Sequence, residues 1–107
     1  MLSYDPPEAH QLWAAGELRI IDCREPYELS EARIEGVEHV PMCRFAEHVD
    51  AIPEDLPLAI LCRSGSRSAR VAYALEQTGR FGEVANIEGG IIAWAEEDLP
   101  YEGDPPT

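Results

Sequence analysis

The chain contains no lysine: all eight of its basic residues are arginine, set against 21 aspartates and glutamates for a net charge of −13. Lysine-dependent chemistry, the Schiff base and the phosphate-gripping lysine of a P-loop, is thereby excluded. So is a nucleic-acid partner, because such a surface repels a polyanion and no basic stripe is present to displace its counterions. Long hydrophobic runs are also missing. The longest cover five or six residues, far short of the roughly 20 that a bilayer-crossing helix needs, so no membrane partner is expected. The opening Met1-Leu2-Ser3-Tyr4-Asp5-Pro6-Pro7 has neither the basic stretch nor the apolar core of a secretion signal, which makes the cytoplasm the expected location. Cysteine is scarce, with three residues, no Cys-x-x-Cys pair and no histidine at ligand spacing. That pattern supports neither a disulfide scaffold nor a zinc site, and no metal is expected.

What is present describes one α/β domain. The 107 residues, 45% of them hydrophobic, leave room for a single core, so residues 1–107 read as one domain with its core over about 5–100. Pro6-Pro7-Glu8 followed by Ala9, Leu12, Trp13 and Ala14, then Gly16, predicts a short helix with proline at its start and glycine past its end. Strands are predicted at Leu18–Cys23, in Gly36–Pro41, at Leu58–Leu61 and at Glu83–Ile87, the second of them stopped by proline. Helical segments are predicted at Pro26–Ala32, more weakly at Arg44–Ile52, from Ala69 to near Gly79, and after Gly89-Gly90, where Trp94 anchors the last. Strands alternating with helices over short connections imply right-handed crossovers and a mainly parallel central sheet with helices on both faces. The tail, Tyr101–Thr107, is expected to fray.

Cys62 is the residue placed for chemistry. It follows the apolar run Leu58-Ala59-Ile60-Leu61 and opens Cys62-Arg63-Ser64-Gly65-Ser66-Arg67-Ser68. A buried strand there delivers the thiol to the carboxyl edge of the sheet, where open α/β folds bind ligands. Gly65 permits a sharply curved backbone, and the following helix turns unpaired N–H groups and its positive end toward the loop. Thiolate is the form such surroundings favour. Each unit of pKa lowering from about 8.5 requires about 1.4 kcal/mol. A helix end supplies roughly 0.3–2 kcal/mol, and charge-assisted bonds from loop N–H groups, Arg63 or Arg67 roughly 1.5–3 each, so one or two suffice. Cys23 and Cys43 lack such surroundings and read as packing residues.

Four boxes, in order, resemble the rhodanese family over nearly the whole chain. Asp22-Cys23-Arg24-Glu25-Pro26 is similar to its Asp-Val-Arg-Glu-Pro box, and Ile34-Glu35-Gly36-Val37-Glu38-His39-Val40-Pro41 to its Ile-x-Gly-Ala-x-His-Ile-Pro segment. Gly89-Gly90 with Trp94 resembles its C-terminal Gly-Gly-x-x-x-Trp signature, and Cys62 to Ser68 fits the Cys-x-x-Gly-x-Arg-Ser loop of single-domain members. The resemblance implies a sulfurtransferase of the thiosulfate type. Cys62 would take a sulfane sulfur from a small anionic donor, hold it as a persulfide and pass it to cyanide or a thiol, without a cofactor. Arg63 and Arg67 would orient the donor and stabilise departing sulfite, while N–H groups of the loop would hold the terminal sulfur. Asp22 and Arg24 would support the loop from behind, or form an ordinary surface salt bridge. The chain departs from the pattern at Ala32-Arg33, where many members have Gly-His, and at Cys23, which replaces valine and is either a core filler or a resolving thiol. The three histidines read as structural.

Two other functions remain open at this level. A persulfide carrier handing sulfur to a protein acceptor would show the same motifs, and the acidic surface would suit a basic partner. Phosphatases and arsenate reductases of related architecture also use a cysteine thiolate in a backbone cradle, but with five residues between cysteine and arginine. Here four separate Cys62 from Arg67. One residue contributes up to roughly 3.3–3.6 Å of contour, so the shorter ring favours a single sulfur over a tetrahedral phosphoryl group.

Overall fold

The computed structural model describes residues 2–107. The elements run β1 (Leu2–Tyr4), α1 (Pro6–Ala14), β2 (Arg19–Asp22), α2 (Pro26–Glu31), β3 (Ala32–Arg33), β4 (Glu38–His39), α3 (Phe45–His48), β5 (Leu58–Leu61), α4 (Ser66–Gln77), β6 (Val84–Ile87), α5 (Gly90–Glu96) and β7 (Glu102–Gly103). Five strands form one sheet in the order β1-β6-β5-β2-β4, with every pairing parallel. This is the mainly parallel α/β architecture that the strand and helix pattern predicts.

Side-chain alternation along the strands builds the two faces. Leu18 and Ile20, Ala59 and Leu61, and Ala85 and Ile87 point to one side, where they bury Ala9 of α1 and Ile91 and Trp94 of α5. Their neighbours Ile21 and Cys23, Leu58 and Ile60, and Val84 point to the other, against Phe45 of α3 and Val71, Ala72 and Leu75 of α4. Both faces are covered, so the central strands read as continuous apolar runs rather than alternating ones. Local signals start the helices. Asp5 caps α1 by accepting the Glu8 N–H at 2.9 Å, with Pro6 and Pro7 occupying the positions whose N–H groups have no helical partner.

The structure adds the short strands β1 and β3, which the sequence reading lacks, and differs from it at three further segments. The predicted helix over Arg44–Ile52 is broken: only Phe45–His48 is α-helical, with single 3₁₀ turns at Met42–Arg44 and Val49–Ala51. Helix α4 begins at Ser66 rather than Ala69, so the first turn includes the end of the Cys62 loop. Within the tail, expected to fray from Tyr101, the structure places a further strand. Glu102 and Gly103 form β7, antiparallel to β3, and the Asp104 N–H donates to the Glu31 carbonyl at 2.7 Å. Backbone pairing with a strand some 70 residues earlier is invisible to local composition.

Trp94 has no exposed surface, and its indole N–H donates to the Pro100 carbonyl at 2.8 Å. Trp94→Ala is expected to lower unfolding free energy by about 3–5 kcal/mol, measured by denaturant titration.

Candidate active site

Strand β5 ends at Leu61 and releases Cys62 at the carboxyl edge of the sheet, beside Cys23, whose N–H donates to the Leu61 carbonyl at 2.9 Å. Gly65 sits in the left-handed region at φ +105° and caps α4, a conformation that costs glycine little. The chain thereby folds back so that donors converge on the sulfur. The Gly65 N–H lies 3.1 Å from Sγ and the Ser68 N–H 3.3 Å, and the Ser68 hydroxyl oxygen is 3.2 Å away, its single hydrogen serving either Sγ or Asn86 Oδ1. The Ser68 N–H belongs to the first turn of α4 and has no partner within the helix.

The loop is anchored on its other side through its carbonyls. The N–H groups of Ile91 and Ile92, in the first turn of α5, donate to the carbonyls of Cys62 and Arg63 at 2.9 and 3.2 Å. Such close approach of a helix end to a loop requires Gly90, since a Cβ there would collide with both carbonyls. The double glycine thus has a packing reason that involves the Cys62 loop directly.

Burial raises the thiol pKa, with Cys62 only 1% exposed. The hydroxyl and N–H of Ser68 and the N–H groups of Gly65 and Ser64 outweigh that cost, and the net pKa lies below the ordinary cysteine value. At Cys23 burial first, then the proximity of Cys62 and Asp22, pushes the thiol up to about 12, against a smaller pull from Arg67 and its own N–H. Cys43 is exposed and unpaired.

The two loop arginines have unlike surroundings. Arg67 makes a two-pronged pair with Glu28, at 2.7 and 2.9 Å. That pair holds the Glu28 carboxyl below its usual range, although burial opposes it, and raises the Arg67 guanidinium. Arg67, expected to orient an anionic donor, is here paired with Glu28 and lines the cavity beside the loop. Arg63 is exposed, and its Nε donates to the Thr107 carbonyl at 2.6 Å. Ser64 and Ser66 are exposed as well. Behind the loop, Arg24 Nε donates to both carboxylate oxygens of Asp22 at 3.0 and 3.1 Å, and Nη2 reaches Asp22 at 2.9 Å and the Ala32 carbonyl at 2.8 Å. At 0% and 3% exposure this is a buried ion pair, not a surface one, and loss of either partner would strand a charge.

Two residues of the site escaped the sequence reading. Asn86 stands in the otherwise apolar strand Val84-Ala85-Asn86-Ile87. Its Oδ1 accepts the Ser68 hydroxyl at 2.5 Å, and its Nδ2 donates to the Gly65 carbonyl at 3.2 Å. A lone amide in a buried four-residue strand was the available signal. Glu28, the partner of Arg67, also accepts the Glu25 N–H at 3.0 Å and so closes the first turn of α2. Among the described residues no group of three or more His, Cys, Asp or Glu side chains could hold a metal ion.

A parallel sheet carrying a cysteine loop over its carboxyl edge defines a class of α/β domain, and the sequence model of the rhodanese-like domain matches residues 5–97. The chain belongs to the rhodanese-like domain family. It is 38% identical to a sulfurtransferase of Allochromatium vinosum over 84 residues, 78% of each chain. To the thiosulfate sulfurtransferase GlpE of Pseudomonas aeruginosa it is 30% identical over 89 residues, 83% of this chain and 79% of that one. The fold superposes on the crystal structure of a rhodanese-related protein from Thermoplasma volcanium with a TM-score of 0.85 at 28% identity, covering 95% and 98% of the two chains.

If Ser68 supplies part of the anion preference, Ser68→Ala raises the midpoint of the pH dependence of Cys62 alkylation by iodoacetamide. In the parent protein that midpoint falls below the value of about 8.5 for a free thiol.

Proposed function

We propose that this protein is a sulfurtransferase in which the Cys62 thiolate attacks the outer sulfur of thiosulfate or a related anionic donor. The new S–S bond forms as the donor's own S–S bond breaks, and sulfite departs with the bonding pair. An acceptor thiolate or cyanide then attacks the terminal sulfur, and Cys62 leaves again as thiolate. The observation that carries this reading is the convergence of the Gly65 and Ser68 N–H groups on Sγ, which suits an anionic sulfur and, beyond it, one further sulfur atom. Kinship with proteins named sulfurtransferases supports the same chemistry.

Each residue then has a role. Cys62 is the nucleophile. Gly65 and Ser68 stabilise its charge, with Ser64 contributing a further N–H, and Ser66 opens the helix that aims them. Arg63, whose positive charge faces solvent, draws in the anionic donor. Arg67 with Glu28, and Arg24 with Asp22, fix the walls. No cofactor takes part, and the reduced thiol that the cycle needs suits the cytoplasm. A phosphatase reading is disfavoured by the four-residue spacing, and efficient hydrolysis of para-nitrophenyl phosphate would overturn the present one. Persulfide loading by a cysteine desulfurase together with negligible thiosulfate turnover would instead favour a carrier.

Cys62→Ser is expected to abolish thiocyanate formation from thiosulfate and cyanide with the fold intact. Intact-mass measurement after thiosulfate treatment should show one added sulfur on the parent and none on the variant. Arg63→Ala is expected to raise the KM for thiosulfate by about tenfold or more, the effect of losing a charge-assisted contact, with a smaller change in kcat by steady-state assay.

A further inference from the structure

The segment that follows the family match does more than end the fold. Residues Asp104 to Thr107 form one side of a cavity of about 530 Å³ whose opposite side includes Arg63 and Arg67 of the Cys62 loop, with Arg24 and Ile91. Cys62, almost fully covered, precedes the lining residue Arg63 in the chain, and its carbonyl accepts the N–H of the lining residue Ile91. The segment is held at three points: the β3–β7 ladder, the Asp104 N–H to the Glu31 carbonyl at 2.7 Å, and Arg63 Nε to the Thr107 carbonyl at 2.6 Å. Gly103 is what lets it lie so close. It adopts φ +100°, and a Cβ there would collide with the Glu31 carbonyl. Beyond it, Pro105 and Pro106 fix φ and lack N–H groups, which makes the span stiff rather than slack.

We propose that Glu102–Thr107 is a size filter at the mouth of the Cys62 loop, confining the site to small sulfur donors and acceptors and excluding persulfides carried on folded proteins while it stays paired to β3. The proposal rests on the sulfurtransferase reading and narrows its substrate class. A cavity of this volume is in the range that holds small ligands, roughly 300–1,000 Å³. A protein donor must instead lay down a surface of about 800 Å² per partner, for which the walled mouth has no room. A two-residue ladder is too short to be stable by itself, so the filter depends on Gly103 and the Asp104 bond.

The test reads access to the thiol, not turnover. In a Cys43→Ser background, where Cys62 is the reactive thiol because Cys23 is buried and titrates at about 12, rates of Cys62 alkylation are compared for iodoacetamide and for a maleimide fixed to the surface of a small folded protein. The large reagent is expected to lag far behind in the parent. Gly103→Val, which cannot adopt the β7 backbone, should raise the large-to-small rate ratio by about tenfold as the open population grows, leaving the iodoacetamide rate unchanged. Asp104→Pro, which removes the donor to Glu31, should act in the same direction and serves if Gly103→Val melts early. Equal reaction of both reagents with the parent, or an unchanged ratio in a folded variant, overturns the filter. Either result leaves the sulfurtransferase reading standing, and absent thiosulfate turnover with the filter intact would sink that reading alone.

Discussion

The site depends on how one short stretch of main chain divides its polar groups. At Cys62 and Arg63 the carbonyls are taken by the first N–H groups of α5, while the N–H groups of Gly65 and Ser68 turn the other way, to Sγ. The Arg63 carbonyl shares its peptide with the Ser64 N–H, so the bond from Ile92 also fixes the plane of one of the N–H groups that favour the thiolate. Two glycines make this possible for different reasons, Gly65 by its left-handed backbone and Gly90 by the absence of a side chain where two helices and a loop meet. The anion preference of Cys62 is thus a property of the packing of α4 and α5 across β5 and β6, and needs no neighbouring base.

Charge is organised by the same economy. On a body with a net charge of −13, two of the arginines nearest the loop are neutralised by partners within the fold, Arg24 by Asp22 and Arg67 by Glu28. Buried or half-buried guanidinium groups without those carboxylates would cost more than any attraction they offered. In the proposed reaction the positive field offered to an anionic donor comes chiefly from Arg63 and from aligned backbone dipoles.

Much of this was legible in the chain. The runs Leu18–Cys23, Leu58–Leu61 and Glu83–Ile87 were readable as central strands because both faces of the sheet are covered, and Cys62 with Gly65 announced a turn at a strand end. The short strands β1, β3 and β7 were not readable, since two or three residues have no periodicity and their pairing partners lie far off in sequence. The partner of Arg67 was hidden for a similar reason: a spacing of 39 residues separates it from Glu28. Asn86 could be seen as out of place in its strand, yet only the fold shows that its amide spans Gly65 and Ser68.

Cys23 adds a last consequence. It shares the apolar cluster that surrounds Cys62 but keeps its proton far above neutral pH, because burial and the neighbouring sulfur both oppose a second negative charge. A protonated thiol is a poor nucleophile toward a sulfur–sulfur bond. In the proposed cycle a protonated, core-filling thiol beside the loaded sulfur disfavours internal capture as a disulfide, and leaves the cargo to an acceptor arriving from solvent.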